Sequence, residues 1–324
     1  MKAPRFWQSR NSGLGAVLQP LGNLYQKIVQ NRLQRPAEYA ASIPVICIGN
    51  ATMGGSGKTP VVQSLVHIMQ EAGKNPAVLL RGYGGIEKGP ISVDKITHTA
   101  RCVGDEALLH AQCTLAVVSR NRVDGAQTIE KDDWSTHILM DDGLQNPSLK
   151  KDVSFLVVDG ENPEGSGRIF PAGPLRETLD DAIRRVQALV IIGNDVQHLA
   201  TRYNFLLPVF QADLKPHNVM DFAHKPVIAF AGIGRPEKFF QSLRDADAIL
   251  IDTMSFPDHH AYTNREINKV LAIAHKIGAV PVTTRKDWVR LSSNHRDQVS
   301  VLDVALEWRD KDALIAFLRD RKLI

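Results

Sequence analysis

The chain has 324 residues, 44% hydrophobic and 23% charged, with a net charge of +4. This is an ordinary soluble globular composition, long enough for one large or two moderate domains. Three cysteines without a C-x-x-C pair exclude a disulfide framework or cysteine zinc site. No run approaches the roughly 18 apolar residues of a spanning helix.

The basic excess is local. Within residues 1–40, Lys2, Arg5, Arg10, Lys27, Arg32 and Arg35 face Glu38 alone. That argues against a general nucleic-acid surface, and no obligate protein partner is indicated. No secretory h-region is evident, so a cytosolic protein is expected. Leu14, Val17, Leu18, Leu21, Leu24, Tyr25, Ile28, Val29 and Leu33 recur at helical spacing, and Pro20 is expected to kink or divide the pattern. Phe6 and Trp7 sit beside Arg5 and Arg10. Two readings stand: an interfacial helix on an anionic leaflet, or a stripe packed on the domain beneath solvated charges.

Short apolar runs at 45–48, 77–80, 115–119, 138–140, 155–158 and 189–192 read as buried parallel strands. Helical patterns such as 61–72 and 105–112 separate several of them. The alternation predicts an α/β fold with a doubly wound, mainly parallel sheet. Ligands in such folds bind beyond the C-terminal ends of the strands.

The first run leads into Asn50-Ala-Thr-Met-Gly-Gly-Ser-Gly-Lys-Thr-Pro60, and an apolar-periodic helix follows. Strand, glycine-rich loop and helix make a P-loop, although Thr52 stands at the first glycine position. The backbone of Thr52, Met53, Gly54, Gly55, Ser56, Gly57, Lys58 and Thr59 is expected to wrap ATP phosphates. Lys58 would reach the β/γ-phosphates and the Thr59 hydroxyl would bind Mg²⁺. The next strand ends lead to Arg81-Gly-Tyr-Gly-Gly85, to Arg120-Asn-Arg122 and to Asp141-Asp-Gly-Leu-Gln145. Glycines, arginines and carboxylates thus collect on one face, as in an active site.

The 136–142 strand with Asp141 and Asp142 resembles a Walker-B strand, whose carboxylates hold Mg²⁺ beside a P-loop. Val103-Gly-Asp-Glu106 opens a helix. Its acids suit a first turn, and Asp105 also suits a base accepting a hydroxyl proton. Phe256-Pro-Asp-His-His-Ala-Tyr262 suits an acid/base or charge-pairing role better than a metal, with a plain loop as the alternative. Thr283-Thr-Arg-Lys-Asp287 has the wrong spacing for guanine recognition, which disfavours a GTPase.

A second α/β stretch begins near Lys225. Residues 209–212 and 301–306 read as strands entering and leaving it, able to pair as a two-stranded linker. Residues 313–318 form a terminal helix returning to the first domain. The expected division is a P-loop domain over 1–208, completed by 309–324, and a smaller α/β domain over 209–308.

These segments in order, with Phe170-Pro-Ala-Gly-Pro-Leu-Arg-Glu177 and Phe256-Pro-Asp-His259, resemble the tetraacyldisaccharide 4′-kinase family, the membrane-associated lipid A kinases. The resemblance implies transfer of the ATP γ-phosphate to the 4′-hydroxyl of a tetraacylated disaccharide 1-phosphate. It implies Asp105 as base and His259 as its partner, with His260 a weaker candidate for that place. Thr59 with Asp141 or Asp142, and Glu106, would place Mg²⁺. Arg120, Arg122, Tyr83 and Gln145 would meet the substrate, and Lys58 the transferring phosphate. Residues 1–35 would lie on the cytosolic face of the inner membrane. The alternatives are a P-loop ATPase coupled to conformational change and a non-catalytic nucleotide-binding adaptor.

Overall fold

Apolar runs too short for helices and too continuous for half-exposed strands form the centre of the molecule. The computed structural model describes residues 4–324, without the Arg5 side chain. Lys2 and the Arg5 side chain, part of the basic N-terminal reading, lie outside the described residues. In chain order the strands are β1 (Val45–Gly49), β2 (Pro76–Leu80), β3 (Ile91–Ser92), β4 (Ala116–Val118), β5 (His137–Asp141), β6 (Val153–Asp159), β7 (Ala188–Ile192), β8 (Val209–Pro216), β9 (Pro226–Ala231), β10 (Ile249–Ser255), β11 (Val280–Thr284), β12 (Ser300–Leu302) and β13 (Val304–Trp308).

Among the described residues they form a nine-stranded sheet, ordered β13-β8-β7-β6-β1-β5-β2-β4-β3, and a four-stranded sheet, ordered β10-β9-β11-β12. The large sheet is parallel except at its edges, where β3 runs against β4 and β13 against β8. Every residue of β1, β2, β5 and β7 is buried. Alternate side chains feed two separate cores. Ile46 and Ile48 join the core under the helix Lys58–Glu71, while Val45 and Cys47 join the core on the opposite face. Burial on both faces is what a parallel sheet with covering helices requires.

From β1 the chain steps outward to β2 and β4, returns to β5 beside β1, and then proceeds the other way through β6, β7 and β8. The reversal lies at β1, between β5 and β6. The loops leaving β1 and β5 therefore open at a topological switch point.

The 301–306 run differs from expectation. It is two strands: β12 pairs in parallel with β11 in the small sheet, and β13 pairs antiparallel with β8 on the large one. Asp303 sits between them, accepting from Arg285 Nε and Nη2 on its two oxygens while its amide donates to Asn218 Oδ1. The terminal helix Lys311–Asp320 packs Leu314, Phe317 and Leu318 into the core of the large sheet.

Pro20 does not divide the first helix, which runs unbroken over Gly13–Leu33. Both Pro20 and Ala16, whose carbonyl loses its partner, are exposed, so water can satisfy that group. The helix seats on the protein through its glycines. A side chain on Gly22 would meet the Ile169 carbonyl at 2.8 Å, and one on Gly15 the Ala172 carbonyl at 3.2 Å. Gln26 and Gln30 donate to Asp181 from the same face. Leu14, Val17, Leu21, Leu24 and Ile28 point away, 54–75% exposed. Trp7, expected at an interface, instead packs edge-on against Phe170 and donates to the Pro171 carbonyl at 3.1 Å. Overpacking typically costs about 1–3 kcal/mol. Gly22→Leu is therefore expected to lower the thermal midpoint while the far-ultraviolet spectrum stays near wild type. An unchanged midpoint would mean the helix is not seated there.

Candidate active site

The loop after β1 is held from within by a buried amide. Asn50 Nδ2 donates to Ser56 Oγ at 3.0 Å, Thr52 Oγ1 at 3.3 Å and the Gly54 carbonyl at 3.4 Å. Outside, the Met53 amide donates to the Pro174 carbonyl at 2.7 Å and the Arg176 amide to the Ala51 carbonyl at 2.7 Å. The Met53 amide is therefore engaged, which removes it from the donors expected to face phosphate. Gly54 and Gly55 border open space. Gly57 stands at φ 82°, where a side chain would strike Ile192 at 2.4 Å. That left-handed residue turns the chain into the helix Lys58–Glu71, whose N-terminus has no side-chain cap. Its first N–H groups remain open to an anion.

At the end of β5 the two aspartates part company. Asp142, at φ 55°, receives both terminal nitrogens of Arg176 at 2.9 and 3.1 Å, with Lys58 Nζ 3.6 Å away. Burial would raise its carboxyl, but the Lys58 and Arg176 charges hold it below the usual range. Asp141 is buried and accepts from His110 Nε2 at 2.9 Å on Oδ2, while no donor among the described residues reaches Oδ1. Burial and the adjacent Asp141 charge push the Glu106 carboxyl up. No group of three or more His, Cys, Asp or Glu side chains among the described residues converges on one point. One bare carboxylate oxygen, a nearby carboxylate and the Thr59 hydroxyl suit Mg²⁺, which keeps waters and shares its shell with phosphates.

Gln145 is occupied by protein. It donates to the Asn50 carbonyl at 2.9 Å and to Glu177 at 2.8 Å, and accepts from Arg176 at 3.1 Å. It braces the loop against Arg176. Arg122 is buried at the start of the helix Arg122–Glu130, donating to the Ser119 carbonyl, with Asp142 and Arg81 as charged neighbours. Arg120 and Tyr83 are exposed, and Tyr83 lies edge-on to His259 at 5.9 Å.

Asp105 opens the helix Asp105–His110 directly after Gly104, and meets the small sheet. Its Oδ2 accepts from His259 Nδ1 at 2.9 Å and from Arg290 Nε at 3.0 Å, with Arg290 Nη2 also in contact. Its Oδ1 accepts the Glu106 amide at 3.0 Å. Desolvation would raise this carboxyl. The His259 hydrogen bond and the charges of Lys286 and Arg290 overcome it and hold Asp105 well below the usual carboxylate range. His259 sits at φ 57°, with Lys286 Nζ 3.4 Å and Asp258 3.8 Å from its Nε2. His260 turns elsewhere, bonding Glu266 at 3.1 Å and stacking on Phe256. The two chain regions are already joined in this structure, so no further cleft closure is needed to bring Asp105 to His259.

Sequence reasoning missed Arg176, His110, Asn50 and Arg290. Arg176 lay inside the quoted Phe170–Glu177 segment without a role. Arg290 follows Asp287 at i+3 on the chain, a spacing that gives no sign of a partner 185 residues away.

The comparisons with known proteins agree with this geometry. A family model described as tetraacyldisaccharide-1-P 4′-kinase matches residues 14–322. Among curated relatives, the tetraacyldisaccharide 4′-kinase of Paramagnetospirillum magneticum is 45% identical over 99% of this chain and 98% of its own length. That of Gluconobacter oxydans is 42% identical over 95% and 94%. The crystal structure of the "apo" form of LpxK from Aquifex aeolicus in complex with ATP superposes with a TM-score of 0.78 at 26% identity, covering 95% of this chain and 99% of that one. The chain belongs to the tetraacyldisaccharide-1-P 4′-kinase family.

Proposed function

We propose that this chain transfers the γ-phosphate of ATP to the 4′-hydroxyl of a tetraacyldisaccharide 1-phosphate, a step of lipid A biosynthesis. Near-full-length identity to named 4′-kinases carries the reading. An uncapped helix N-terminus after the glycine-rich loop, with Lys58 beside Asp142 at the end of β5, is the arrangement that such a transfer needs.

Phosphoryl transfer asks mainly for positioning and electrostatic stabilisation. The backbone of Gly54 to Thr59 holds the phosphates, as in a P-loop. Lys58, kept in place by Asp142 and through it by Arg176, meets the transferring group. Mg²⁺, when bound, neutralises charge developing between the β- and γ-phosphates. Thr59 and the bare Oδ1 of Asp141 would hold it, with Glu106 close by; Asp142 is committed to its cations. Asp105 stays ionised at neutral pH. It orients the acceptor hydroxyl and takes its proton as the new O–P bond forms, a modest demand on a weak base when the transition state is loose. His259 fixes the carboxylate from across the cleft. Arg120 and Tyr83, exposed at the rim, are the groups in reach of an incoming headgroup, and buried Arg122 contributes charge without contact.

Residues 1–208 with the terminal helix are read as the P-loop domain and 209–308 as the smaller one. The antiparallel pair β8–β13 links them and is itself the edge of the nine-stranded sheet, so by packing the smaller unit is the four-stranded sheet with its helices. The substrate's acyl chains keep it in a bilayer, since each buried CH₂ is worth about 0.8 kcal/mol. No helix among the described residues is long and apolar enough to cross a membrane. The enzyme therefore meets the cytosolic leaflet from its surface. The exposed stripe of Leu14, Val17, Leu21, Leu24 and Ile28, flanked by Arg10, Lys27 and Arg32, is the face suited to it.

Two experiments test the reading. With labelled ATP and a detergent-dispersed disaccharide 1-phosphate, separated by thin-layer chromatography, Lys58→Ala is expected to lose about 10²-fold or more in turnover. Near-normal turnover in the folded variant would remove Lys58 from the chemistry, and ATP consumption without acceptor would favour a coupled ATPase instead. Leu21→Glu/Leu24→Glu, on an already solvated face, is expected to leave the thermal midpoint unchanged and weaken flotation with anionic vesicles. Its activity should fall more on bilayer substrate than on dispersed substrate. Wild-type flotation by this variant would move the membrane contact elsewhere.

A further inference from the structure

Arg290 carries an enclosed guanidinium. Its side chain is 4% exposed and that of its partner Asp105 is 5% exposed. It belongs to neither the nucleotide loop nor a named motif. Its three nitrogens are shared between two walls of the cleft. Nε and Nη2 go to Asp105 Oδ2, and Nη1 goes to the Gly232 carbonyl at 2.9 Å and to Asp287 Oδ1 at 2.9 Å.

The anchor is itself fixed. Asp287 is fully buried, and its Oδ1 also accepts the Gly232 amide at 2.9 Å and the Tyr262 hydroxyl at 2.8 Å. Its Oδ2 accepts from the Thr284 hydroxyl at 2.6 Å. Arg290 therefore cannot swing, and neither can the oxygen it grips.

Three donors fill Asp105 Oδ2: one from His259 and two from Arg290. Oδ1 carries a single backbone N–H, from Glu106. An sp² carboxylate oxygen with one donor can accept another. We propose that Arg290 is a positioning residue for Asp105: anchored on Asp287 and Gly232, it occupies Oδ2 and leaves Oδ1 as the oxygen that meets the acceptor hydroxyl. The inference rests on the reading of Asp105 as proton acceptor. A guanidinium can do this where an ammonium cannot, because Nε and Nη2 converge on Oδ2 while Nη1 stays on the anchor, a span that a single nitrogen does not cover.

The consequence is geometric. Without the guanidinium, Asp105 keeps only His259 and the Glu106 amide, and nothing anchored on Asp287 holds Oδ2 away from the acceptor.

The test compares Arg290→Gln, Arg290→Lys and Asp105→Asn in the full chain with dispersed substrate, at a pH where each stays folded. Arg290→Gln is expected to lower kcat by about tenfold to hundredfold while KM for both substrates stays near wild type. Arg290→Lys, with the charge but a single nitrogen, should lose kcat in the same way. Binding of an ATP analogue should match wild type in both, since Arg290 touches no part of the nucleotide loop. A merely structural role would lower the thermal midpoint and leave kcat of the folded enzyme unmoved. Wild-type kcat in Arg290→Gln or in Arg290→Lys would overturn the inference. Asp105→Asn separates the two levels: full activity there removes Asp105 as the proton acceptor, whereas an inactive Asp105→Asn beside a fully active Arg290→Gln removes only the role of Arg290.

Discussion

A carboxylate taken out of water must be given donors or it neutralises. Asp105 is almost wholly buried at the meeting of the two sheets, and its own helix supplies one backbone N–H. The remaining donors come from the other side, from His259 and Arg290. The charge of Asp105 is therefore stable only while the small sheet stays against the large one. Buried ion pairs add little net stability, because desolvation offsets most of the attraction, yet breaking one leaves an uncompensated charge. What this pair fixes is an arrangement. Exposed pairs at the other end of the contact, Arg235 with Asp159 and Lys238 with Glu161, are screened by solvent and contribute far less.

The large sheet was legible because burial on both faces leaves unbroken apolar runs. The segments 45–48, 77–80 and 189–192 sit in strands for that reason. The small sheet was legible only in outline. Its edge strand β10 is mostly exposed, and its apolar residues carry no two-sided pattern. The 301–306 run failed as one strand because Val301 and Leu306 are both apolar while the break is set by Asp303, whose partners Arg285 and Asn218 are remote in the chain.

In the site, the legible residues are those whose role follows from neighbours in sequence. Gly57-Lys58-Thr59 sits at a strand-to-helix turn, and Asp141-Asp142 at a strand end. Which of two adjacent residues does what was not legible. His259 and His260 differ because a left-handed backbone at His259 points its ring at Asp105, while Glu266, in the capping box of the next helix, holds His260. Asp141 and Asp142 differ likewise, through His110 and Arg176. Neither bond leaves a trace in composition or spacing.

The first helix shows the same limit from the other side. Helical spacing reports that one face is apolar, not where that face looks. Here Gly15 and Gly22 look inward because close approach to the 168–172 segment needs small side chains, and Gln26 and Gln30 look inward to bond Asp181. Leu14, Leu21 and Leu24 are left outside by that choice. The segment they are seated on continues, within a few residues, into Pro174, Leu175 and Arg176. Those residues hold the Met53 amide, pair with Thr52 and grip Asp142. One stretch of chain thus supports the outward apolar face on one side and the nucleotide loop on the other. A lipid surface that engaged the leucines would stand at a distance from the loop set by this stretch, which is bonded at both ends. On the proposed reading, with an acceptor that stays in the bilayer, that spacing would set how far its hydroxyl lies from the phosphate.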